Sequence, residues 1–131
     1  MIAVLVDHNV EGQAALLVST LATDGWLKLG LFELITFVDA GLPYTSGDRA
    51  VWRFVQERGM LLLTSNRNMD GEDSLEQTIR DENQATSLPV VTIADVARIV
   101  EKTYREQCAT RLAEVVFDLE DHLGAGRLYI P

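Results

Sequence analysis

Apolar positions along this chain keep two rhythms. Ile2 to Val6 is a continuous, β-branched-rich run, as expected of a strand covered on both faces, and it ends at Asp7-His8-Asn9. From Glu11 to Thr23 the rhythm changes to that of a helix. Ala14, Ala15, Leu17, Val18, Leu21 and Ala22 form its stripe, and Asp24-Gly25 ends it. Leu34 to Val38 reads as a second strand that stops at Asp39-Ala40-Gly41-Leu42-Pro43, while Trp26 to Glu33 is the least readable part. Ser46-Gly47-Asp48 then offers a helix start. Val51, Trp52, Phe54 and Val55 supply its apolar face and Arg58-Gly59 its stop.

Met60 to Thr64 is the third strand, Ser74 to Asn83 a helix with Leu75 and Ile79 on one face, and Pro89 to Ile93 the fourth strand. One long helix is expected from Ala94 to about His122, capped by Thr92 or Asp95. Val96, Ile99, Val100, Tyr104, Cys108, Leu112, Val115, Val116 and Leu119 keep helical spacing along it. Gly124-Ala125-Gly126 breaks that pattern, and Leu128-Tyr129-Ile130 suits a short edge strand. Strands alternating with helices at these intervals predict βαβ crossovers. The expected fold is α/β: a three-layer α/β/α sandwich around a mostly parallel sheet of four to five strands. With no repeat, low-complexity tract or linker, the 131 residues read as a single domain.

Composition narrows the function. Hydrophobic residues make up 47% and charged ones 24%, an ordinary globular balance. The net charge of −9, with only 11 Lys and Arg, argues against a broad basic surface for nucleic acid. That argument does not reach an acidic cleft, which carries negative charge until a metal arrives. The lone Cys108 excludes an intramolecular disulfide and fits a reducing compartment. The first residues, Met1 to Asp7, have no basic start and too short an apolar run for a signal peptide. No stretch approaches the roughly 20 apolar residues of a membrane span. The expected location is the cytoplasm.

In an open parallel sheet, ligands sit beyond the carboxyl ends of the strands. Those ends carry Asp7, His8 and Asn9; Asp39; and Ser65, Asn66 and Asn68, with Asp70 and Asp73 a little further on. Asp48, at a helix start, faces the same rim. Oxygen clusters of this kind suit Mg²⁺ or Mn²⁺, which keep several waters and need few carboxylates. The same residues are also ordinary turn formers, and Asp48 sits where a helix start favours negative charge. No Cys/His spacing suggests zinc, no Gly-rich loop precedes a helix, and no Ser-centred nucleophile elbow is present. Asp7 with Thr64-Ser65 is reminiscent of a phosphorelay receiver, but that class needs a Lys after a late strand, where this chain has Ala94-Asp95.

Taken together, Val6-Asp7-His8-Asn9, then Asp39-Ala40-Gly41-Leu42 with Gly47-Asp48, then Leu62-Leu63-Thr64-Ser65-Asn66-Arg67-Asn68 resemble the PIN-like domains of bacterial toxin-associated type. Those run strand-Asp-x-Asn, then Asp-x-Gly-Leu leading to an Asp at a helix start, then strand-Thr-x-Asp-x-Asp. The resemblance covers about the first half of the chain. It implies a Mg²⁺- or Mn²⁺-dependent ribonuclease in which a metal-bound water attacks an RNA phosphodiester. Carried over by position, Asp7 is the principal ligand, Asp48 a second carboxylate, and Asn9 supports the first loop. Where the pattern has Asp-x-Asp, this chain has Asn66-Arg67-Asn68, so a carboxamide without charge stands at the third position. Asp70, Glu72 and Asp73 lie close enough in sequence to substitute.

Two readings compete. In the first the chain is a metal-dependent ribonuclease, a toxin-type enzyme acting on structured or tRNA-like RNA, with Asp7, Asp48, Asp70 and Asp73 as catalytic residues and Asp7, Asp48, Asn66 and Asp70 around the metal. The resemblance adds a protein partner such as an antitoxin. In the second it is a PIN-like domain without nuclease activity, a binding or regulatory module. There Tyr104, Phe117 and Trp52 would be available for a homodimer surface. The clustered carboxylates favour the first, and Asn66, Asn68 and the net charge favour the second.

Overall fold

The computed structural model describes all 131 residues. Its strands are β1 (Ile2–Val6), β2 (Phe32–Ile35), β3 (Leu61–Thr64), β4 (Val90–Ile93) and β5 (Arg127–Ile130), in the order β2-β1-β3-β4-β5. Every neighbouring pair is parallel. The helices are α1 (Glu11–Thr23), α2 (Phe37–Ala40), α3 (Asp48–Arg58), α4 (Leu75–Glu82) and α5 (Lys102–Phe117).

The period of two in the strands decides which helices cover which face. Val4, Val6, Leu61, Leu63, Val91 and Ile93 point into a core of 20 buried residues shared with α1 and α5. Leu5, Leu62 and Val90, the alternating positions, point into a core of 9 with Phe37, Val51, Trp52, Val55, Leu75 and Ile79 from α2, α3 and α4. The result is a three-layer α/β/α sandwich with a sheet of five strands, all parallel, covered on both faces as parallel sheets require. No helix is long and apolar enough to cross a membrane.

Two expected elements differ. The second strand is Phe32–Ile35 and not Leu34 to Val38. Its β-branched sequence continues past Ile35, but Thr36 and Asp39 form a capping box that starts α2. The Thr36 hydroxyl accepts from the Asp39 N–H at 3.2 Å, and the Asp39 carboxylate accepts from the Thr36 N–H at 3.1 Å. Asp39 is thereby a helix cap.

The long helix from Ala94 to His122 is three pieces: a 3₁₀ turn at Val96–Val100, α5, and a 3₁₀ turn at Leu119–His122. Glu101 is extended (φ −81°, ψ 124°) and breaks the run. The break is held by tertiary bonds. Arg105 donates to the carbonyls of Ile99 (2.9 Å) and Val100 (3.2 Å), and the Asp95 N–H donates to the Tyr104 hydroxyl (2.8 Å). Neither Thr92, inside β4, nor the Asp95 side chain caps a helix. Of the proposed dimer residues, Trp52 and Tyr104 are core, and only Phe117 is exposed. Cys108 is fully buried, and that burial pushes its thiol up to about 11, which leaves it no thiolate to act with near neutrality.

Candidate functional site

Chain order reverses between β1 and β3, because β2 lies on one side of β1 and β3 on the other. Such a switch point opens a crevice at the carboxyl ends of the two strands. Asp7 occupies it. By parity with Leu5, Asp7 belongs to the face covered by α2, α3 and α4, and it is only 9% exposed. Its Oδ2 accepts from the Thr64 hydroxyl at the end of β3 (2.8 Å), and its Oδ1 lies 3.4 Å from His8 Nδ1, a buried nitrogen with no hydrogen-bond partner. The carboxylate is therefore held on one oxygen and open on the other.

Asp48 reaches the same place from α3. It stands one turn before Val51 and Trp52 on the helix face that packs on the sheet, so its side chain overhangs the strand ends. Asp7 and Asp48 line one cavity of about 40 Å³ together with His8, Phe37 and Ser46. That is room for water-sized occupants, far below the roughly 300–1,000 Å³ of a small-molecule pocket. Asp48 Oδ2 is already committed: it accepts from the Leu75 N–H at the start of α4 (3.1 Å) and from Asn66 Nδ2 (3.0 Å). Its Oδ1 has no protein donor.

The polar stretch after β3 divides. Asn66 turns its amide nitrogen to Asp48 and its Oδ1 to the Asn68 N–H (2.8 Å), so its oxygen is spent within the loop. Asn68 repeats the motif, accepting from the Asp70 N–H at 3.0 Å. Successive Asn side chains thus fold the loop as turns. Asp70 and Asp73 do not line the cavity of Asp7 and Asp48. Asp73, with an 83% exposed side chain, borders a separate groove between α3 and α4, where its Oδ1 is 3.3 Å from Arg49 Nε.

Arg49 ties that groove together. It donates to Asp73, Asp81, Glu82 and the Glu72 carbonyl, while Arg53 donates to both Glu82 oxygens. Hydrogen bonds from Arg49 hold the Asp81 carboxyl below its ordinary value, and those from Arg53 and then Arg49 do the same for Glu82. Because folding depresses these values, the clamp contributes at neutral pH and is lost as pH falls from about 4.5 through the folded values. Arg49→Ala is therefore expected to lower the urea midpoint at pH 7, with the difference from wild type shrinking below pH 4. An unchanged midpoint would assign the clamp no net contribution, the usual case for exposed ion pairs.

Two neighbours of the site had no signal in the periodicity. Tyr44 lies in the turn before α3 and stacks on His8. Arg127, on the far edge strand, donates to the Asn66 carbonyl (2.8 Å), to Thr92 Oγ1 (2.8 Å) and to Glu76 Oε2 (3.0 Å). It thereby pins the loop that positions Asn66.

No three of the chain's His, Cys, Asp and Glu side chains converge so as to hold a metal ion. The donor set is two carboxylates, each with one oxygen uncommitted to a hydrogen bond, beside water-sized space. This fits a Mg²⁺-like ion, which uses one or two carboxylates and keeps its waters, and does not fit an all-protein cage. No family model, no curated protein and no solved structure matches this chain.

Proposed function

We propose that the chain is a metal-dependent ribonuclease of PIN-like type, with Asp7 and Asp48 as its working carboxylates. The observation that carries this reading is their arrival in one small cavity at the switch point of a parallel sheet, from a strand end and a helix start far apart in sequence. What Mg²⁺ or Mn²⁺ supplies when bound there is a more acidic water and neutralisation of charge developing on a phosphodiester. Asp7 is the principal anchor, since the Thr64 hydroxyl fixes its orientation and leaves Oδ1 open. Asp48 contributes its free Oδ1 while its other oxygen holds the start of α4. The cavity is too small for a nucleotide, so the RNA backbone lies across its mouth. Asp70 and Asp73 have no part in this version of the site, and Asn66 acts on Asp48 through a hydrogen bond.

A second reading, a PIN-like module without nuclease activity, is favoured by that same Asn66–Asp48 bond, since a carboxamide stands where a third charge would strengthen the site. One experiment separates the two: calorimetric titration of the protein with Mn²⁺, followed by hydrolysis of RNA with and without EDTA. Binding in the micromolar to sub-millimolar range with EDTA-sensitive cleavage supports the nuclease. Absence of both leaves the binding module.

A further inference from the structure

Two polar atoms at the end of β1 are left open side by side. Asp7 Oδ1 is uncommitted, and His8 Nδ1 is buried with no partner, although the His8 side chain as a whole is 35% exposed. The two atoms lie 3.4 Å apart and form no hydrogen bond with each other. A buried nitrogen without a partner costs stability, and native chains rarely leave one. The ring is not free to turn and find one. Phe37, 1% exposed, meets it edge-on at 5.3 Å and 61°, and Tyr44 stacks on it at 5.4 Å and 29°. The turn that carries Tyr44 is itself closed by Ser46, whose N–H (3.1 Å) and hydroxyl (2.7 Å) both donate to the Pro43 carbonyl. His8 is therefore a clamped imidazole on the wall of the cavity that Asp7 and Asp48 also line.

The spacing of the two open atoms is that of a chelate. Two donors each about 2.1 Å from one ion lie about 3.0 Å apart at a right angle and about 3.4 Å apart at the tetrahedral angle. A nitrogen beside a carboxylate oxygen also selects its ion differently from a set of oxygens. Mg²⁺ takes oxygen ligands, whereas first-row transition ions also take imidazole. Two protein donors, with waters in the other positions, need no third side chain, in keeping with the absence of any three that converge. We infer that His8 Nδ1 and Asp7 Oδ1 form a nitrogen–oxygen chelate for a first-row transition ion, so that the site prefers such an ion to Mg²⁺. This rests on the metal-dependent reading of the same cavity, and it names the class of ion and a ligand that the resemblance left unassigned.

The test is calorimetry with Co²⁺ and with Mg²⁺, beside pulsed EPR of the Mn²⁺-loaded protein, which detects a ligating ¹⁴N directly. Wild type should bind Co²⁺ at least about tenfold more tightly than Mg²⁺ and show ¹⁴N modulation. His8→Phe keeps a ring between Phe37 and Tyr44 but has no nitrogen. It should weaken Co²⁺ binding by about tenfold or more, leave Mg²⁺ binding unchanged and lose the modulation. His122→Gln, which removes the other histidine, should keep all three wild-type values. The wild-type spectrum decides even where His8→Phe fails to fold. If wild type binds an ion without ¹⁴N modulation, or His8→Phe retains the modulation or the Co²⁺ affinity, the nitrogen ligand is overturned and the carboxylate site stands. If wild type binds none of the three ions, the metal-dependent reading falls and the chelate with it.

Discussion

Asn66→Asp is expected to tighten Mn²⁺ binding by about tenfold, roughly 1.4 kcal/mol, and Asp7→Asn to abolish it. The two substitutions change one atom each and move the charge of the site in opposite directions. In Asn66→Asp the oxygen that accepts from the Asn68 N–H is retained, and an anionic oxygen replaces the amide nitrogen 3.0 Å from Asp48 Oδ2. Without metal, that exchange turns an attraction into a like-charge contact. It should cost about 1–3 kcal/mol of stability, visible as a lower melting temperature in EDTA. A divalent cation relieves the repulsion, so Mn²⁺ should raise the melting temperature more in the variant than in wild type. Asp7→Asn keeps the shape and can still accept from the Thr64 hydroxyl, so the fold should survive while the anchor is lost. Calorimetry on the three proteins decides: equal Mn²⁺ affinity throughout would place any bound cation elsewhere.

The second large effect is at a distance. Arg127→Ala is expected to lower stability by about 3 kcal/mol in urea denaturation and to weaken Mn²⁺ binding as well. The Arg127 side chain is 8% exposed, and its fork joins three elements: the loop after β3 at Asn66, the strand β4 at Thr92, and the helix α4 at Glu76. Removing it strands the Asn66 carbonyl and leaves a 27% exposed Glu76 without its partner, which sets the loss at the lower end for a broken buried pair. The loop it releases carries the Asn66 amide that braces Asp48, hence the effect on metal. Arg127→Lys should restore charge to Glu76 but not the two bonds of the planar fork, and fall between. A stability loss with unchanged Mn²⁺ affinity would confine Arg127 to the fold.

What was legible in the sequence was what a buried parallel sheet writes into it. Ile2–Val6, Leu61–Thr64 and Val90–Ile93 are apolar on both parities because both faces are covered, so they stand out as runs. The short edge strand at the end was visible for the same reason, since Ile130 packs in the core. The second strand was misplaced because Ile35-Thr36-Phe37-Val38 is β-rich by composition, whereas the Thr36–Asp39 box decides its structure locally. The broken helix was hidden more deeply. Residues on both sides of Glu101 keep helical spacing, and the break is stabilised by Arg105 and Tyr104 folding back on the 3₁₀ turn, contacts that no period encodes.

At the site, Asp7 and Asp48 could be named because each follows directly from an element boundary, and the structure brings them to one cavity. Asp70 and Asp73 lie within nine residues of β3, but proximity along a loop carries no direction. The Asn side chains at 66 and 68 turn that loop so that Asp73 meets Arg49 across a different groove. Tyr44 and Arg127 were invisible as site residues, one in an irregular turn and one on the far edge of the sheet.

The two cores are unequal, with 20 buried residues beneath α1 and α5 and 9 beneath α2, α3 and α4. The layer that delivers Asp48 is thus the more lightly anchored one, and partial unfolding of the chain should begin there and leave the α1–α5 half standing. Asp7 remains with the sheet in such an opening while Asp48 departs with its helix. In that event the two halves of the site would belong to different cooperative units, and an ion bound between them would act as a latch: its concentration would set how often the lighter layer lifts.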